Sequence, residues 1–232
     1  MLAVILQARL DSSRLNAKAL LPLGGKPIIF RVMQALNRVP ADLRILACPA
    51  DALAFFAPLA DEAGFEVFEG PKEDVLERYC LAIRHFGITR VIRATGDNPF
   101  VFADSAEAIN AEAVATNADY AAYTGLPHGA GVEAVLAAAL LRAQAQTAPP
   151  GDHAYEREHV CPYLYGHPEM FRLHRPGAGK AWQGENGQAI RLTVDTPDDY
   201  QRAELLYNAL PQGEERYSGR QIIRTYKETF PE

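Results

Sequence analysis

The sequence predicts an α/β protein with a mostly parallel, helix-covered central sheet, and three observations lead to this prediction. In the first half of the chain, short apolar runs alternate with longer segments whose apolar residues recur at helical spacing. The first run, 2–7, has the length and the β-branching of a buried strand. The chain has 232 residues, which is enough for one sizeable α/β domain, or for one domain with a small appendage.

Short apolar runs of the same kind mark the other strands of the first half. They cover 43–47, 65–68, 89–94 and 118–123. The helical segments between them cover 28–37, 51–63, 75–86 and 105–116. Asp51 is a predicted N-cap, and Gly64 and Gly87 follow the last periodic residues of two helices, where glycine commonly ends a helix.

The second half of the chain is less regular. The segment 126–135 is a glycine-rich loop that leads into a strand, and two further strands are predicted over 169–174 and 189–194. The predicted helices cover 137–146, 152–165 and the chain after Asp195, apart from 211–213. The segment 176–187 is predicted to be an exposed loop.

Composition and charge argue against several classes of protein. The formal net charge of −6 argues against general nucleic-acid binding, which needs a basic face, but leaves room for a local basic pocket. No apolar run approaches the roughly 20 residues of a membrane helix. The three scattered cysteines fit neither a disulfide framework nor a zinc site, and they indicate a reducing compartment. Because its start lacks the features of a signal peptide, the chain is predicted to be cytoplasmic.

The polar segment 8–18, called the basic loop below, follows the first strand and carries Arg9, Arg14 and Lys18. It would leave the carboxyl end of the strand, where open α/β sheets bind their ligands. Three cations in one loop are costly to hold together without an anion between them, and phosphate is the obvious anion. The alternative is a solvated loop on the surface.

Two aspartates also follow apolar strands: Asp97 in Gly-Asp-Asn-Pro and Asp195 in Val-Asp-Thr-Pro. Both would lie at the same sheet edge as the basic loop. Two carboxylates beside a basic loop suit nucleotide chemistry, because Mg²⁺ is usually held by one or two carboxylates plus substrate phosphates. Each aspartate also has a local alternative, since Asp97 could belong to an ordinary turn and Asp195 could cap the following helix.

Four further polar side chains have two interpretations each. Asp74 and Arg78 could lie near a ligand, or they could form an ion pair on the surface of the predicted helix, whose start favours a negative residue. His159 is either a general base or substrate hydrogen-bond donor, or a structural histidine. Cys161 is either a thiol nucleophile or, as its surroundings in the sequence favour, a buried packing residue.

The glycine-rich segment has a comparable ambiguity. Gly129 and Gly131, followed by Glu133, could let a sugar or nucleotide approach the backbone closely. They could equally form a hairpin turn.

Six sequence blocks, taken in order, resemble one known family. They are Ala8-Arg-Leu-Asp-Ser-Ser-Arg-Leu-Asn-Ala-Lys18, Gly70-Pro-Lys-Glu-Asp-Val-Leu-Glu-Arg-Tyr79, Arg93-Ala-Thr-Gly-Asp-Asn-Pro99, His128-Gly-Ala-Gly-Val-Glu133, Arg157-Glu-His-Val160 and Val194-Asp-Thr-Pro-Asp-Asp199. The set spans nearly the whole chain. It resembles the cytidylyltransferases of the sugar-nucleotide class, which activate sugar acids such as Kdo and sialic acid, and is most similar to their spore-coat-polysaccharide branch.

The resemblance implies a fold and a reaction. The fold would be α/β, a Rossmann-like three-layer sandwich of the glycosyltransferase-A type with a mostly parallel central sheet. The enzyme would use Mg²⁺ to transfer CMP from CTP to a sugar acid or related acceptor, with release of pyrophosphate, in the synthesis of surface-polysaccharide precursors. It would be a homodimer of one nucleotidyltransferase domain over 1–232, with 124–190 as an acceptor-binding or dimerisation subregion.

The resemblance also implies site residues, carried over by matching motifs. The predicted catalytic residues are Arg9, Lys18 and Asp97. The predicted nucleotide contacts are Ala8, Arg9, Ser12, Arg14, Lys18, Asp74 and Arg78. The predicted acceptor contacts are Gly131, Glu133, Arg157 and His159. The predicted metal ligands are Asp97 and Asp195.

The chain departs from the family pattern at two places. Family members commonly read Arg-Leu-Pro-Gly-Lys where this chain reads Arg14-Leu-Asn-Ala-Lys18. Alanine tolerates positive φ poorly, so Ala17 has either an ordinary conformation or a strained one. Pro127-His128 also stands where the family often has Pro-Asp, which concerns the acceptor rather than the nucleotide.

Two other functions therefore stay open. A glycosyltransferase could use the same kind of sheet, although such enzymes usually carry an Asp-x-Asp motif and here Asn98-Pro99 follows Asp97. The altered basic loop also allows a non-catalytic nucleotide-binding relative of the enzymes.

Overall fold

Strands and helices alternate over residues 28–121 and follow a less regular order in the rest of the chain that the structure describes. This computed structural model covers residues 1–11, 15, 17–147, 151–180, 182–183, 190–211 and 217–231. The strands are β1 Leu2–Gln7, β2 Pro22–Leu23, β3 Lys26–Pro27, β4 Leu43–Cys48, β5 Glu66–Glu69, β6 Arg90–Thr95, β7 Tyr120–Ala121, β8 Glu133–Leu136 and β9 Leu173–His174. The α-helices are α1 Ile28–Leu36, α2 Ala50–Ala63, α3 Val75–Phe86, α4 Ala103–Ala115, α5 Ala137–Gln146, α6 Ala154–His159, α7 Pro162–Gly166, α8 Pro197–Ala209 and α9 Gly219–Thr229. A 3₁₀ helix, Lys18–Leu20, closes the basic loop.

The central sheet has seven strands in the order β5-β4-β1-β6-β8-β7-β9. Four of its six strand pairs are parallel, and β8 is antiparallel to both of its neighbours. The predicted mostly parallel sheet is thereby confirmed. Because β4, β1 and β6 run side by side in one direction, their carboxyl ends meet at one edge, where ligands bind in folds of this kind.

Strand β1 lies inside the sheet, between β4 and β6, and both of its faces are covered. Val4 and Leu6 pack into one apolar core, with residues of α1, α2 and α4. Ala3 and Ile5 pack into a second core on the opposite face, with residues of α3 and α5. Burial on both faces explains why this strand is a continuous apolar run rather than an alternating one. Helices on both faces of one sheet make the three-layer sandwich that was predicted.

The ends of the helices follow local chemistry in most cases. Gly64 and Gly87 end α2 and α3 with φ of 73° and 67°, a left-handed conformation that glycine adopts without a steric penalty. Asp74 caps α3 by accepting a hydrogen bond from the amide of Glu77. The prediction for Asp51 was wrong, since α2 begins at Ala50 and Asp51 lies in its first turn.

Two predictions for the second half were wrong. The segment predicted as the strand 189–194 makes only one bridge, between Arg191 and His128, and residue 189 lies outside the described residues. Its alternating apolar residues are buried, but its backbone partners are loops: Leu192 donates to His128 and Val194 to Asp97. The predicted helix 152–165 is divided into α6 and α7 at Val160, whose φ of 73° interrupts the helical backbone.

The strands predicted over 118–123 and 169–174 are shorter than expected. Each has two paired residues, in β7 and β9. Among the helices that the structure describes, none combines the length and the apolar composition that crossing a membrane requires.

Candidate active site

A cavity of about 280 Å³ opens where the carboxyl ends of β1 and β6 meet. Its lining comes from β1 and the described part of the basic loop, from β6 and the turn after it, from α3 and α6, and from Asp195, two residues before α8. The lining residues are Gln7, Ala8, Arg9, Asp11, Lys18, Ala19, Val75, Arg78, Arg93, Thr95, Gly96, Asp97, Glu158, His159 and Asp195. The structure thus brings Arg9 and Lys18 of the basic loop together with the two aspartates, as their positions after predicted parallel strands indicate.

Lys18 lies at the centre of the site. Its Nζ is 2.8 Å from Asp97 Oδ2 and 2.8 Å from Asp195 Oδ1. The exposed fractions of the three side chains are 16%, 28% and 13%. Two carboxylates that are separated by 98 positions in the sequence therefore converge on one cation in a largely buried position.

Asp97 is held by the turn that follows β6. Its Oδ1 accepts a hydrogen bond of 2.8 Å from Thr95 Oγ1, and its carbonyl oxygen accepts one of 2.9 Å from the amide of Val194. A Cβ on Gly96 would lie 2.8 Å from the end of the Ile29 side chain and 3.2 Å from the carbonyl oxygen of Gln7, so glycine favours the close packing of this turn. The turn after β6 therefore directs the Asp97 carboxylate at Lys18.

Asp195 precedes α8 but does not cap it. The N-cap is Thr196, which forms a capping box with Asp199. The helix-cap interpretation of Asp195 was therefore wrong. Its carboxylate instead contacts Lys18 through Oδ1 and Arg191, at 2.7 Å, through Oδ2.

Of the three arginines that were predicted to contact the nucleotide, Arg9 and Arg78 lie in the described part of the chain and have different surroundings. Arg9 lies at the rim, half-exposed, and pairs with Glu158 at 3.1 Å. Arg78 is buried, and it donates to the carbonyl oxygens of Pro71, Ala47 and Lys72. Desolvation lowers the pKa of Arg78. The predicted surface ion pair with Asp74 was wrong, because the guanidinium points inward and braces the loop before α3.

Asp74 and Arg157 form a buried ion pair behind the cavity. Arg157 Nε donates to Asp74 Oδ2 at 2.7 Å, which ties α6 to the start of α3. Arg157 does not line the cavity, but its two neighbours Glu158 and His159 do. The His159 ring is exposed and lies against Tyr155, with 4.4 Å between ring centroids. Arg157 therefore holds α6 in place, the helix from which Glu158 and His159 line the cavity.

Gly131 and Glu133 also lie outside the cavity lining. The Glu133 carboxylate pairs with Arg93 and accepts a hydrogen bond of 2.8 Å from the hydroxyl of Tyr120. Burial alone would lower the pKa of the Arg93 guanidinium. The attraction of the Glu133 carboxylate is the stronger effect, so the pKa of Arg93 is raised. Glu133 thus neutralises a cation, Arg93, that itself lines the cavity.

The glycine-rich segment approaches the protein's own backbone. Gly129 has φ of 90°, and a Cβ on it would lie 2.5 Å from the amide nitrogen of Thr193. The close approach that a glycine permits is used here to pack this loop on the segment before Asp195, rather than to admit a ligand.

Sequence reasoning missed several side chains in or beside the cavity, Glu158 on its lining among them. Arg93 lines the cavity from within β6, Thr95 orients Asp97, and Arg191 contacts Asp195. A charged residue inside an apolar run is the signal that could have identified Arg93 and Arg191. Ser12 and Arg14, which were predicted to contact the nucleotide, lie outside the described residues, as does Asn16.

Cys161 has the surroundings of a packing residue. It is buried, and desolvation raises the pKa of its thiol well above the usual value. Burial likewise raises the pKa of Cys48 to about 11 and that of Cys80 to about 12. Thiols with such pKa values carry little thiolate at neutral pH, so none of the three is a suitable nucleophile.

The donor set at Lys18 fits magnesium. Asp97 and Asp195 supply carboxylate oxygens that already converge on one positive charge. In the described ranges there is no cluster of three or more His, Cys, Asp or Glu side chains that could hold a metal. A site with two protein carboxylates leaves most of the coordination positions to water and substrate phosphates, which is the usual arrangement for Mg²⁺.

Of the two conformations considered for Ala17, the structure shows the strained, left-handed one. Its φ is 48° and its ψ 32°, and its amide donates to the carbonyl of Leu10, which closes the basic loop. We expect Ala17→Gly to raise the free energy of unfolding by about 1 kcal/mol, because glycine has no Cβ penalty at positive φ. Urea unfolding would measure the change.

The neighbouring residue Ala19 provides the control. It is buried in the 3₁₀ helix and its φ is not positive, so Ala19→Gly should lower stability. If the Ala17→Gly variant were less stable than the natural chain, the left-handed backbone of Ala17 would not be strained.

Comparison with solved structures identifies the class of fold. A cytidylyltransferase from Leptospira borgpetersenii serovar Hardjo-bovis superposes with a TM-score of 0.86 at 21% identity, covering 98% of this chain and 94% of that one. A CMP:2-keto-3-deoxy-manno-octonic acid synthetase, solved in complex with CTP, gives a TM-score of 0.65 at 15% identity, covering 89% and 98%. The architecture is the Rossmann-like fold of nucleotidyltransferases.

The sequence identifies the family within this class. The family model described as cytidylyltransferase matches residues 3–222, and the chain belongs to that family. The spore coat polysaccharide biosynthesis protein SpsF of Bacillus subtilis is 31% identical over 212 residues, which covers 88% of this chain and 85% of that protein.

Proposed function

We propose that this protein is a magnesium-dependent cytidylyltransferase that transfers CMP from CTP to a sugar acid or a related acceptor. Pyrophosphate is the second product, and the activated sugar is a precursor of a surface polysaccharide. One observation carries the proposal: Lys18 Nζ lies 2.8 Å from both Asp97 and Asp195 inside a cavity that Arg9 also lines. A metal-bound triphosphate requires cations and paired carboxylates close together, as they lie here at the carboxyl edge of the sheet.

In this proposal Asp97 and Asp195 hold Mg²⁺, which when bound offsets the charge that develops on the phosphates and helps to orient them. An acceptor oxygen attacks the α-phosphorus of CTP in line, and where that oxygen belongs to a hydroxyl group its proton passes to water. The bond from that phosphorus to the bridging oxygen breaks, and pyrophosphate leaves. Arg9 and Lys18 stabilise the negative charge of the leaving group, so their contribution is electrostatic rather than covalent.

Lys18 has to change partners in this scheme. Its ammonium group contacts both carboxylates in the structure, so it occupies the position between them that a second cation would need. We expect Lys18 to leave the carboxylates for the triphosphate when the metal-bound nucleotide enters. Arg9 has a comparable exchange available, from Glu158 to the nucleotide.

The acceptor side of the proposal rests on α6. His159 and Glu158 line the cavity and could contact the acceptor directly. Arg157 and Glu133, which form ion pairs outside the lining, would act on the acceptor through His159 and Arg93. A structurally similar synthetase is described as complexed with CTP, and a relative is named for spore coat polysaccharide biosynthesis, which supports the choice of nucleotide and pathway. The homodimer and the cytoplasmic location are part of the same proposal.

A pyrophosphate-release screen tests the function. The four nucleoside triphosphates would each be combined with Mg²⁺ and a panel of sugar acids and sugar phosphates. We expect release with CTP and at least one sugar acid, together with an equal amount of a CMP conjugate. Calorimetric binding of CTP without turnover across the panel would favour a non-catalytic protein. Sugar transfer from a nucleotide-sugar without pyrophosphate would favour a glycosyltransferase.

A further inference from the structure

A row of alternating charges leads from the first turn of α8 into the cavity. Arg191 Nε is 2.9 Å from Asp199 Oδ1, and Arg191 Nη2 is 2.7 Å from Asp195 Oδ2. Asp195 Oδ1 then contacts Lys18, which contacts Asp97. The row thus joins a helix cap to the pair of carboxylates at the centre of the site.

The outer end of this row is fixed by backbone. Asp199 Oδ2 accepts hydrogen bonds from the amides of Asp195, at 3.1 Å, and Thr196, at 3.0 Å. The amide of Asp199 in turn donates to Thr196 Oγ1 at 3.2 Å, which completes the capping box. Asp199 is therefore an anchor whose position is set by the start of α8, and Arg191 is attached to that anchor through Nε.

The inner end of the row decides how Asp195 faces the cavity. Because Nε and Nη2 lie in one rigid plane, the bond to Asp199 also sets the direction from which Arg191 reaches Asp195. Oδ2 of Asp195 is engaged by the guanidinium, and Oδ1 faces Lys18 in the cavity. Arg191 does not itself line the cavity.

We propose that Arg191 is a positioning residue: its guanidinium, anchored on Asp199, holds the Asp195 carboxylate with one oxygen directed at the cation in the cavity. This inference rests on the proposed function, in which that cation is a divalent metal bound to the nucleotide. Partners that orient a metal-ligating carboxylate commonly contribute about 10-fold to 100-fold to metal affinity.

Two substitutions separate the geometry from the charge. Arg191→Lys keeps a positive charge but has a single nitrogen, which cannot bridge Asp195 and Asp199 in one plane. Arg191→Gln removes the charge. If Arg191 acted only through its charge, the lysine variant would behave like the natural protein. The Arg191 side chain is 36% exposed, so solvent screens its charge and we expect orientation to dominate.

The experiment is calorimetric titration of the full chain with the preformed Mn²⁺·CTP complex, and with CTP in the presence of a chelator. The ratio of the affinity for Mn²⁺·CTP to the affinity for metal-free CTP reports how strongly the protein's own groups bind the metal. We expect Arg191→Lys and Arg191→Gln each to reduce this ratio about tenfold, with affinity for metal-free CTP changed by less than about threefold. Arg142→Gln is the control, because Arg142 is also a partly exposed arginine beside an aspartate, but that aspartate, Asp119, does not line the cavity as Asp195 does.

Asp97→Asn separates a failure of this inference from a failure of the proposed function. If Asp97→Asn reduces the ratio and both Arg191 variants retain it, the positioning role is overturned while the metal site stands. If Asp97→Asn retains the ratio, the proposed metal site itself is overturned. A lysine variant that restores the natural ratio would also overturn the role of the planar guanidinium.

Asp199→Asn provides a second route should the Arg191 variants fail to fold. Its amide oxygen can still accept from the backbone amides, but the charge that anchors Arg191 is lost. We expect the ratio to fall in the same direction, and an unchanged ratio would count against the anchor.

Discussion

Replacing Asp97 by asparagine is expected to reduce pyrophosphate release from CTP about a thousandfold, the scale of losing one well-placed electrostatic contact at a reacting phosphate. The substitution removes the negative charge that faces Lys18 at 2.8 Å. It keeps the size of the side chain and an oxygen that can accept from Thr95 Oγ1. We therefore expect the fold to survive, with the loss confined to chemistry and metal binding.

Steady-state pyrophosphate release, together with thermal unfolding of the same sample, measures both parts of this prediction. The matched control is Asp51→Asn, which removes a carboxylate that pairs with Lys72 at 2.6 Å outside the cavity lining. Release by the control should stay within about threefold of the natural rate, as for surface substitutions in general. Full turnover by Asp97→Asn would exclude Asp97 from the metal site.

Lys18→Met is expected to change two affinities in opposite directions. Without nucleotide, Mn²⁺ should bind about tenfold more tightly, because the substitution removes a charge-assisted contact of roughly 1.5–3 kcal/mol that competes with the metal for the two carboxylates. CTP should bind about tenfold more weakly, because the same ammonium group is proposed to contact the triphosphate. Methionine keeps most of the length and the apolar stem of lysine, so packing around Ala19 should be little changed.

The concentration of unbound Mn²⁺, followed by electron paramagnetic resonance, and the calorimetric affinity for CTP give the two readouts. Lys72→Met is a close control, since Lys72 also lies between two carboxylates, Asp11 at 2.9 Å and Asp51 at 2.6 Å, but those side chains are half-exposed. Its Mn²⁺ affinity should not rise, because solvent screens exposed charges. Weaker Mn²⁺ binding by Lys18→Met would contradict the exchange of Lys18 between carboxylates and phosphates.

Local chemistry was sufficient for most of the first half of the fold. The β-branched run of β1 predicted a strand buried on both faces, and Gly64 and Gly87 predicted the ends of two helices. These features depend on neighbours a few positions away, which the sequence displays directly. The predictions became less accurate where partners come from elsewhere, as at 189–194, whose alternating pattern is accommodated by loops rather than by a neighbouring strand.

The location of the site was also predictable, because parallel strands place their carboxyl ends at one edge. Asp97 and Lys18 could be assigned to that edge from the runs that precede them. The left-handed conformation of Ala17 could only be given as one of two alternatives, since the residue type disfavours positive φ without forbidding it.

By itself the sequence determined the alternation of strands and helices in the first half of the chain, the burial of β1, and the principal charges at the carboxyl edge of the sheet, Lys18, Asp97 and Asp195. Only the tertiary structure decided which charge meets which. Arg78 lies one turn from Asp74 yet donates to carbonyls, while Asp74 pairs with Arg157, 83 positions away. The physical reason is that an ion pair depends on distance and burial across packed elements. Spacing along one helix describes only the contacts within that helix.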